Sequence, residues 1–112
     1  MIKIVSPFLI RILTNNFAKS IAIFPFIIFK HRDLLDDLIL INHEKIHLKQ
    51  QLECLLLIFY IIYVFEYIKG RIDGNSHYDA YRKISFESEA FENEKKLNYL
   101  KQRNKYAWLK FL

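Results

Sequence analysis

Apolar residues run in long blocks along this chain, and the polar positions that interrupt them set the predicted elements. Residues 1–19 mix Ile, Leu and Phe with scattered polar groups and predict a short helix or an irregular lead. The block Ser20 to Lys30, SIAIFPFIIFK, is dense in β-branched and aromatic side chains and predicts extended backbone. Pro25 cannot donate to a ladder, so this block should form an edge strand or a bent pair. HRDLLDD follows and offers Asp33, Asp36 or Asp37 as a helix N-cap. From about Leu38 to Lys69 the pattern is helical, with room for one break, and Gly70 is expected to stop it. RIDGNSHYD carries the clearest loop signal. Ser85 is suited to cap a last helix that should reach at least Arg103. These elements predict an α+β fold, mainly helical, in a single domain.

The long helical stretch contains HEKIH, His43 to His47. Two histidines four apart project from one helix face, about 40° apart, a spacing at which both imidazoles can hold one tetrahedral metal. Glu44 stands beside them, where it can take a proton from water. The same face carries Leu40, Gln50, Gln51 and Cys54, while Ile41, Leu48, Leu52, Leu55 and Leu56 cover the other sides. A solvated face would be wide and rich in Lys and Glu. This stripe is narrow and rich in His and Gln. The bland alternative is a pair of core histidines hydrogen-bonded to backbone or to Gln50 and Gln51.

A third ligand is expected from ISFESEAFENE. On a helical wheel Glu87 lies about 100° from Phe86, within the apolar arc that also holds Ala90, Phe91 and Leu97. Glu94 falls beside it, and Glu89 lies at the edge. A carboxylate on a buried face needs a partner, and a zinc ion is a suitable one. Glu87 is therefore the expected ligand and Glu89 the fallback; pairing with Arg82 or Lys83 is the alternative for Glu87. Gln50, Gln51 and Glu94 are placed to hold the free ring nitrogens of the histidines.

HEKIH on one helix, with Glu87-Ser-Glu-Ala90 on the next, resembles the gluzincin superfamily of zinc peptidases. INHEKIHLKQQLE and AYRKISFESEAFENE, with YLKQR after them, also look like a group of short bacterial HExxH proteins. The resemblance covers roughly residues 20–112 and implies a zincin-like core binding one zinc ion. By that resemblance His43, His47 and Glu87 are ligands and Glu44 is the general base for hydrolysis of a peptide or protein substrate. An edge segment, here Ile21 to Phe29, would align the substrate backbone. Two departures stand out. Larger members carry Asp or Asn just after the alanine region, where this chain has Phe91. They also use a dedicated His or Tyr at the oxyanion, for which this chain offers His77, Tyr78, Tyr81 and Arg82 without a basis for choice. His31 and His77 are otherwise unassigned: either could be an extra ligand, and each is read first as a loop residue.

Composition adds a second theme. The chain of 112 residues is 53% hydrophobic and 16% aromatic, with a net charge of +5. CLLLIFYIIYVF, Cys54 to Phe65, is free of charge but short of the roughly 20 residues a spanning helix needs. Lys95, Lys96, Lys101, Arg103, Lys105 and Lys110 form a basic tail interleaved with Tyr99, Tyr106, Trp108 and Phe111. Such a tail suits a solvated helix face with aromatic residues packed inward, or an anionic membrane surface. Without a recognisable motif, nucleic acid is not an expected partner. A single cysteine, Cys54, precludes an internal disulfide and fits a reducing compartment. No signal peptide is expected. The composition thus implies a cytoplasmic protein with membrane-surface association, and enough apolar surface for self-association. It also leaves two further readings: a non-catalytic membrane module with a structural or vestigial zinc site, and a latent peptidase whose cleft is covered by residues 1–19.

Overall fold

Ser6 ends the first strand and opens the first helix. Its hydroxyl accepts the Leu9 N–H at 3.2 Å, and Pro7 takes the first helical position, where a missing N–H costs nothing. The computed structural model describes residues 1–112. It begins with strand β1 (Ile2–Val5) and helix α1 (Pro7–Thr14), so the lead is more regular than its pattern announced. Strands β2 (Ser20–Ile23) and β3 (Phe26–Phe29) follow as a hairpin that turns at Phe24–Pro25. The bent-pair reading of Pro25 holds, since the proline sits in the turn and not in a ladder.

The sheet order is β1-β3-β2, with β1 parallel to β3 and β2 antiparallel to it. Phe26–Phe29 is thus the central strand, and its unbroken FIIF run fits a strand covered on both sides: Ile27, Ile28 and Phe29 are buried. Only β2 and β1 are edges. The four residues of β1 are too few to show alternation, which is why the third strand was not foreseen.

A 3-10 turn (Arg32–Asp36) leads to α2 (Leu38–Glu53), which is capped by the carboxylate of Asp37 accepting from Leu40 N–H at 3.1 Å. The expected break falls at Cys54–Leu56. Leu55 and Leu56 both adopt left-handed backbone, φ 53° and 62°, and the chain bends by 112° into α3 (Leu57–Ile72). Gly70 does not stop α3. Its missing side chain lets α4 (His77–Lys83) approach, and a Cβ there would stand 3.1 Å from that of Ala80. The loop therefore shrinks to residues 73–76, and much of RIDGNSHYD is helical.

Ser85 is the first residue of α5 (Ser85–Asn93) and not its cap, because its N–H and hydroxyl both donate to Glu66, at 2.9 and 2.8 Å. Nor does α5 reach Arg103. The side-chain amide of Asn42 reaches the carbonyls of Asn93, Glu94 and Lys96 and closes the helix there. The chain then forms a short α6 (Tyr99–Gln102) and a final 3-10 turn (Ala107–Phe111). Leu97, expected on the apolar arc, lies past the helix end and is exposed. Helix α2 stands between two apolar clusters. One, with Ala22, Ile27, Phe29, Ile41 and Leu48, faces the sheet; the other gathers Cys54, Phe59, Ile84, Phe86 and Trp108.

The result is α+β and mostly helical, as expected. No single helix is long and apolar enough to cross a membrane; α2 and α3 meet that length only as a bent pair.

Candidate metal centre

Helix α2 presents His43 and His47 one turn apart towards α5, and Glu87 comes to meet them from the first turn of α5. All three are 5% exposed. Glu87 Oε1 lies 3.1 Å from His43 Nε2 and 3.0 Å from His47 Nε2, and the two Nε2 atoms are 3.1 Å apart. Three lone-pair-bearing atoms thus form a nearly equilateral triangle. Ligands at about 2.0–2.1 Å from a tetrahedral ion stand about 3.3 Å apart, so this triangle matches such a set to within a few tenths of an ångström. Hydrogen bonding alone accounts for it poorly, since a proton on each nitrogen aimed at Oε1 leaves the nitrogens in close contact. The buried cluster of His43, His47 and Glu87 can hold a metal ion.

The remaining polar atoms of these three residues are held. Gln50 Oε1 lies 2.7 Å from His47 Nδ1. The Gln50 amide nitrogen donates to the Phe86 carbonyl at 3.0 Å and to Glu89 Oε1 at 2.9 Å, so its oxygen has to face the ring. His43 Nδ1 lies 3.4 Å from Glu94 Oε2, and the Phe91 ring packs edge-on against His43 at 4.6 Å. The Arg82 guanidinium lies over the Phe91 ring, 3.9 Å from its centre. An aromatic ring thus packs on one side of His43, and the carboxylate beside its Nδ1 comes from Glu94. Tyr63, on α3, donates to Glu87 Oε2 at 2.7 Å and leaves Oε1 to the histidines.

Charge is tightly balanced. Burial disfavours a charged His47, but the adjacent Glu87 carboxylate, helped by Glu44, carries its pKa up to about 9. Burial likewise opposes the Glu87 carboxylate, yet the two imidazoles hold its pKa far below the usual range. Without metal, the pair is an imidazolium beside a carboxylate.

A pocket of about 430 Å³ opens on the triangle. His43, Glu44, His47 and Glu87 lie on its floor, Ser20 to Ala22 of β2 on one side, Phe59, Tyr60, Tyr63 and Tyr67 of α3 on another, and Ile12 to Ala18 along its mouth. Glu44 Oε2 accepts from the Ser20 hydroxyl at 2.7 Å. His77 and Tyr81 line the pocket, and His77 Nδ1 lies 2.7 Å from the Tyr67 hydroxyl. Burial and the nearby Glu87 and Glu44 keep the Tyr81 phenol protonated far above its ordinary range.

Four of the expected site residues do not reach the triangle, although Gln51 lines the same pocket. Glu89 is fully buried but turned from the triangle, into a network with Gln50, Tyr99 and Arg103. Gln51 reaches neither histidine: it bonds the Ala22 carbonyl and the Phe24 N–H along the outer edge of β2, each at 2.8 Å. Tyr78 is half exposed, with Arg82 donating to its hydroxyl, and neither lines the pocket. Glu87 pairs with neither Arg82 nor Lys83; Lys83 reaches Asn75. Conversely, Tyr63 and Ser20 were not foreseen. Tyr63 did leave a trace, because Phe59, Tyr63, Glu66, Tyr67 and Gly70 recur at helical spacing along one face of α3. No protein-family model, curated protein or solved structure matches this chain.

Proposed function

We propose that this chain is a minimal zinc-dependent peptidase, with His43, His47 and Glu87 as ligands and Glu44 as general base. The observation that carries the proposal is the triangle of His43 Nε2, His47 Nε2 and Glu87 Oε1 at the floor of a pocket that Glu44 also lines. Nitrogen and carboxylate donors in a tetrahedral set suit zinc, and three protein ligands beneath an open pocket are the pattern of catalytic rather than structural sites. Zinc supplies Lewis-acid polarisation of a carbonyl and brings the pKa of water from 15.7 to about 7.

The chain's own residues do the rest. The Ser20 hydroxyl holds Glu44 Oε2, leaving Oε1 to accept a proton from the attacking water and pass it to the leaving nitrogen. Tyr63 fixes the rotamer of Glu87, and Gln50 and Glu94 fix the rings of His47 and His43. Of the four oxyanion candidates, Tyr81 and His77 line the pocket, and Tyr81 is held in its protonated, donating form.

Elemental mass spectrometry on wild type, His47→Ala and Glu87→Ala tests the ligand set. One zinc per chain is expected in wild type and none in either variant; a metal-free wild type after zinc supply and dialysis overturns it. Glu44→Gln should keep the zinc and lose peptide hydrolysis. If wild type holds zinc but cleaves no member of a peptide library, the second reading takes over: a structural zinc, favoured by the near-complete burial of all three ligands.

A further inference from the structure

Helix α3 is amphipathic in an unusual sense: one side is packed and the other is greasy. Phe59, Tyr63, Glu66 and Tyr67 face the fold. At about 100° per residue, Leu57, Ile61, Val64, Phe65, Ile68 and Ile72 fill one outward arc of roughly 140° that begins at Tyr60. They are not marginal cases: Ile61, Phe65 and Ile72 are 59%, 67% and 78% exposed. Tyr60 is also a pocket-lining residue, so the arc runs to the pocket mouth. Across that mouth, α1 and the turn after it present Ile12, Leu13 and Phe17, all exposed and all lining the pocket. Two apolar helix faces therefore meet at the opening of the candidate site.

The outward-facing charges within these two helices have one sign. Helix α1 contains Arg11 and no acid. The one acid of α3, Glu66, is turned inward, where its carboxylate takes both donors of Ser85. Arg71 projects near the Tyr60 edge of the arc and donates to the Tyr67 hydroxyl. Lys69 pairs with the exposed Asp73 just past the helix end, which leaves Arg11 and Arg71 as the cations without an acidic partner on these helices. An apolar face flanked by such cations complements an anionic lipid surface. Pairing of two copies on this face would instead bring arginines of like sign together.

We propose that the α1–α3 face docks on an anionic bilayer, with the pocket mouth turned to the lipid. The 112° bend between α2 and α3 makes this a surface attachment, with α3 lying along the interface. Taken with the peptidase reading, on which this clause alone rests, the substrate is a peptide presented at the membrane surface.

Co-sedimentation tests the docking, using vesicles of phosphatidylcholine alone and of phosphatidylcholine with phosphatidylglycerol. Wild type should pellet with the anionic vesicles and be released by salt. The double variant Ile61→Glu/Phe65→Glu should lose about a hundredfold in partition, as expected for removing two apolar side chains from lipid. Both positions are exposed, and unchanged zinc content and circular dichroism will show that the variant folds. In Tyr60→Trp, fluorescence should be quenched by spin-labelled lipid beyond any quenching of buried Trp108. Docking is overturned if wild type stays in the supernatant with both vesicle types, including the case where sedimentation velocity shows the face occupied by a second copy. Unimpaired pelleting of the double variant, or no added quenching in Tyr60→Trp, overturns the assigned face. Zinc content read on the same samples tells a failed membrane proposal from a failed metal centre.

Discussion

The side-chain amide of Gln50 has both N–H groups committed, to the Phe86 carbonyl and to Glu89, so its oxygen requires a proton on His47 Nδ1 and leaves Nε2 for the triangle. On the proposed zinc reading, replacing Gln50 by Leu should free the ring and weaken zinc binding about 10- to 100-fold, measured by chelator competition, with zinc still bound at saturation. Protons compete for the same nitrogen. Because the pKa of His47 is raised to about 9 in the metal-free protein, its ion pair with Glu87 stabilises the fold fully below pH about 6.5 and is lost as pH rises through about 9. In the proposed zinc site the metal has to displace that proton, so apparent affinity should climb roughly tenfold per pH unit up to about pH 9 and then flatten. An affinity that does not change with pH around neutrality would show that His47 enters the site uncharged.

At the scale of elements, what the sequence disclosed is what lies in short-range pattern. Spacing within HEKIH put both histidines on one face, and the apolar arc around Phe86 turned Glu87 inward. Patterns that depend on distant partners were silent. Ser85 looked like a cap until Glu66 from α3 took its N–H and hydroxyl, and α5 looked longer until Asn42 took its last carbonyls. Gly70 looked like a stop because local propensity cannot see Ala80 arriving against it. That contact makes Gly70→Ala informative. Helix propensity favours alanine by about 1 kcal/mol, but overpacking costs about 1–3 kcal/mol, and the neighbouring atoms include the Ala80 backbone. A net loss of about 1 kcal/mol is expected in urea unfolding; a gain would mean that α4 can move away.

Across the whole molecule, Arg103 ties the late part of the chain to the site. Its guanidinium, almost wholly buried, reaches Glu89 Oε2 at 2.6 Å and clasps Glu53 with two bonds at 2.7 and 2.9 Å. Glu89 in turn holds Gln50, which holds His47. Arg103→Met should cost about 3–5 kcal/mol, because a fully buried carboxylate loses its cation. Burial opposes the charge on Glu89, but bonds from Arg103, Tyr99 and Gln50 bring its pKa below the ordinary value. Its stabilisation is therefore complete above pH about 4.5 and fades as pH falls further. Denaturant midpoints should drop on acidification through that window, and less steeply in Glu89→Gln.

The position of Arg103 in the chain also bears on synthesis. Translation delivers α2, with its histidines and Glu53, first, then Glu89, and only afterwards the Arg103 that pairs with both carboxylates. A nascent chain that has not yet extended past residue 103 carries two carboxylates, Glu53 and Glu89, that its own fold would bury without a counter-charge. Closing α5 onto α2 in such a chain is less favourable by about the 3–5 kcal/mol that the missing cation is worth, which should lengthen the exposure of the nascent chain to proteolysis.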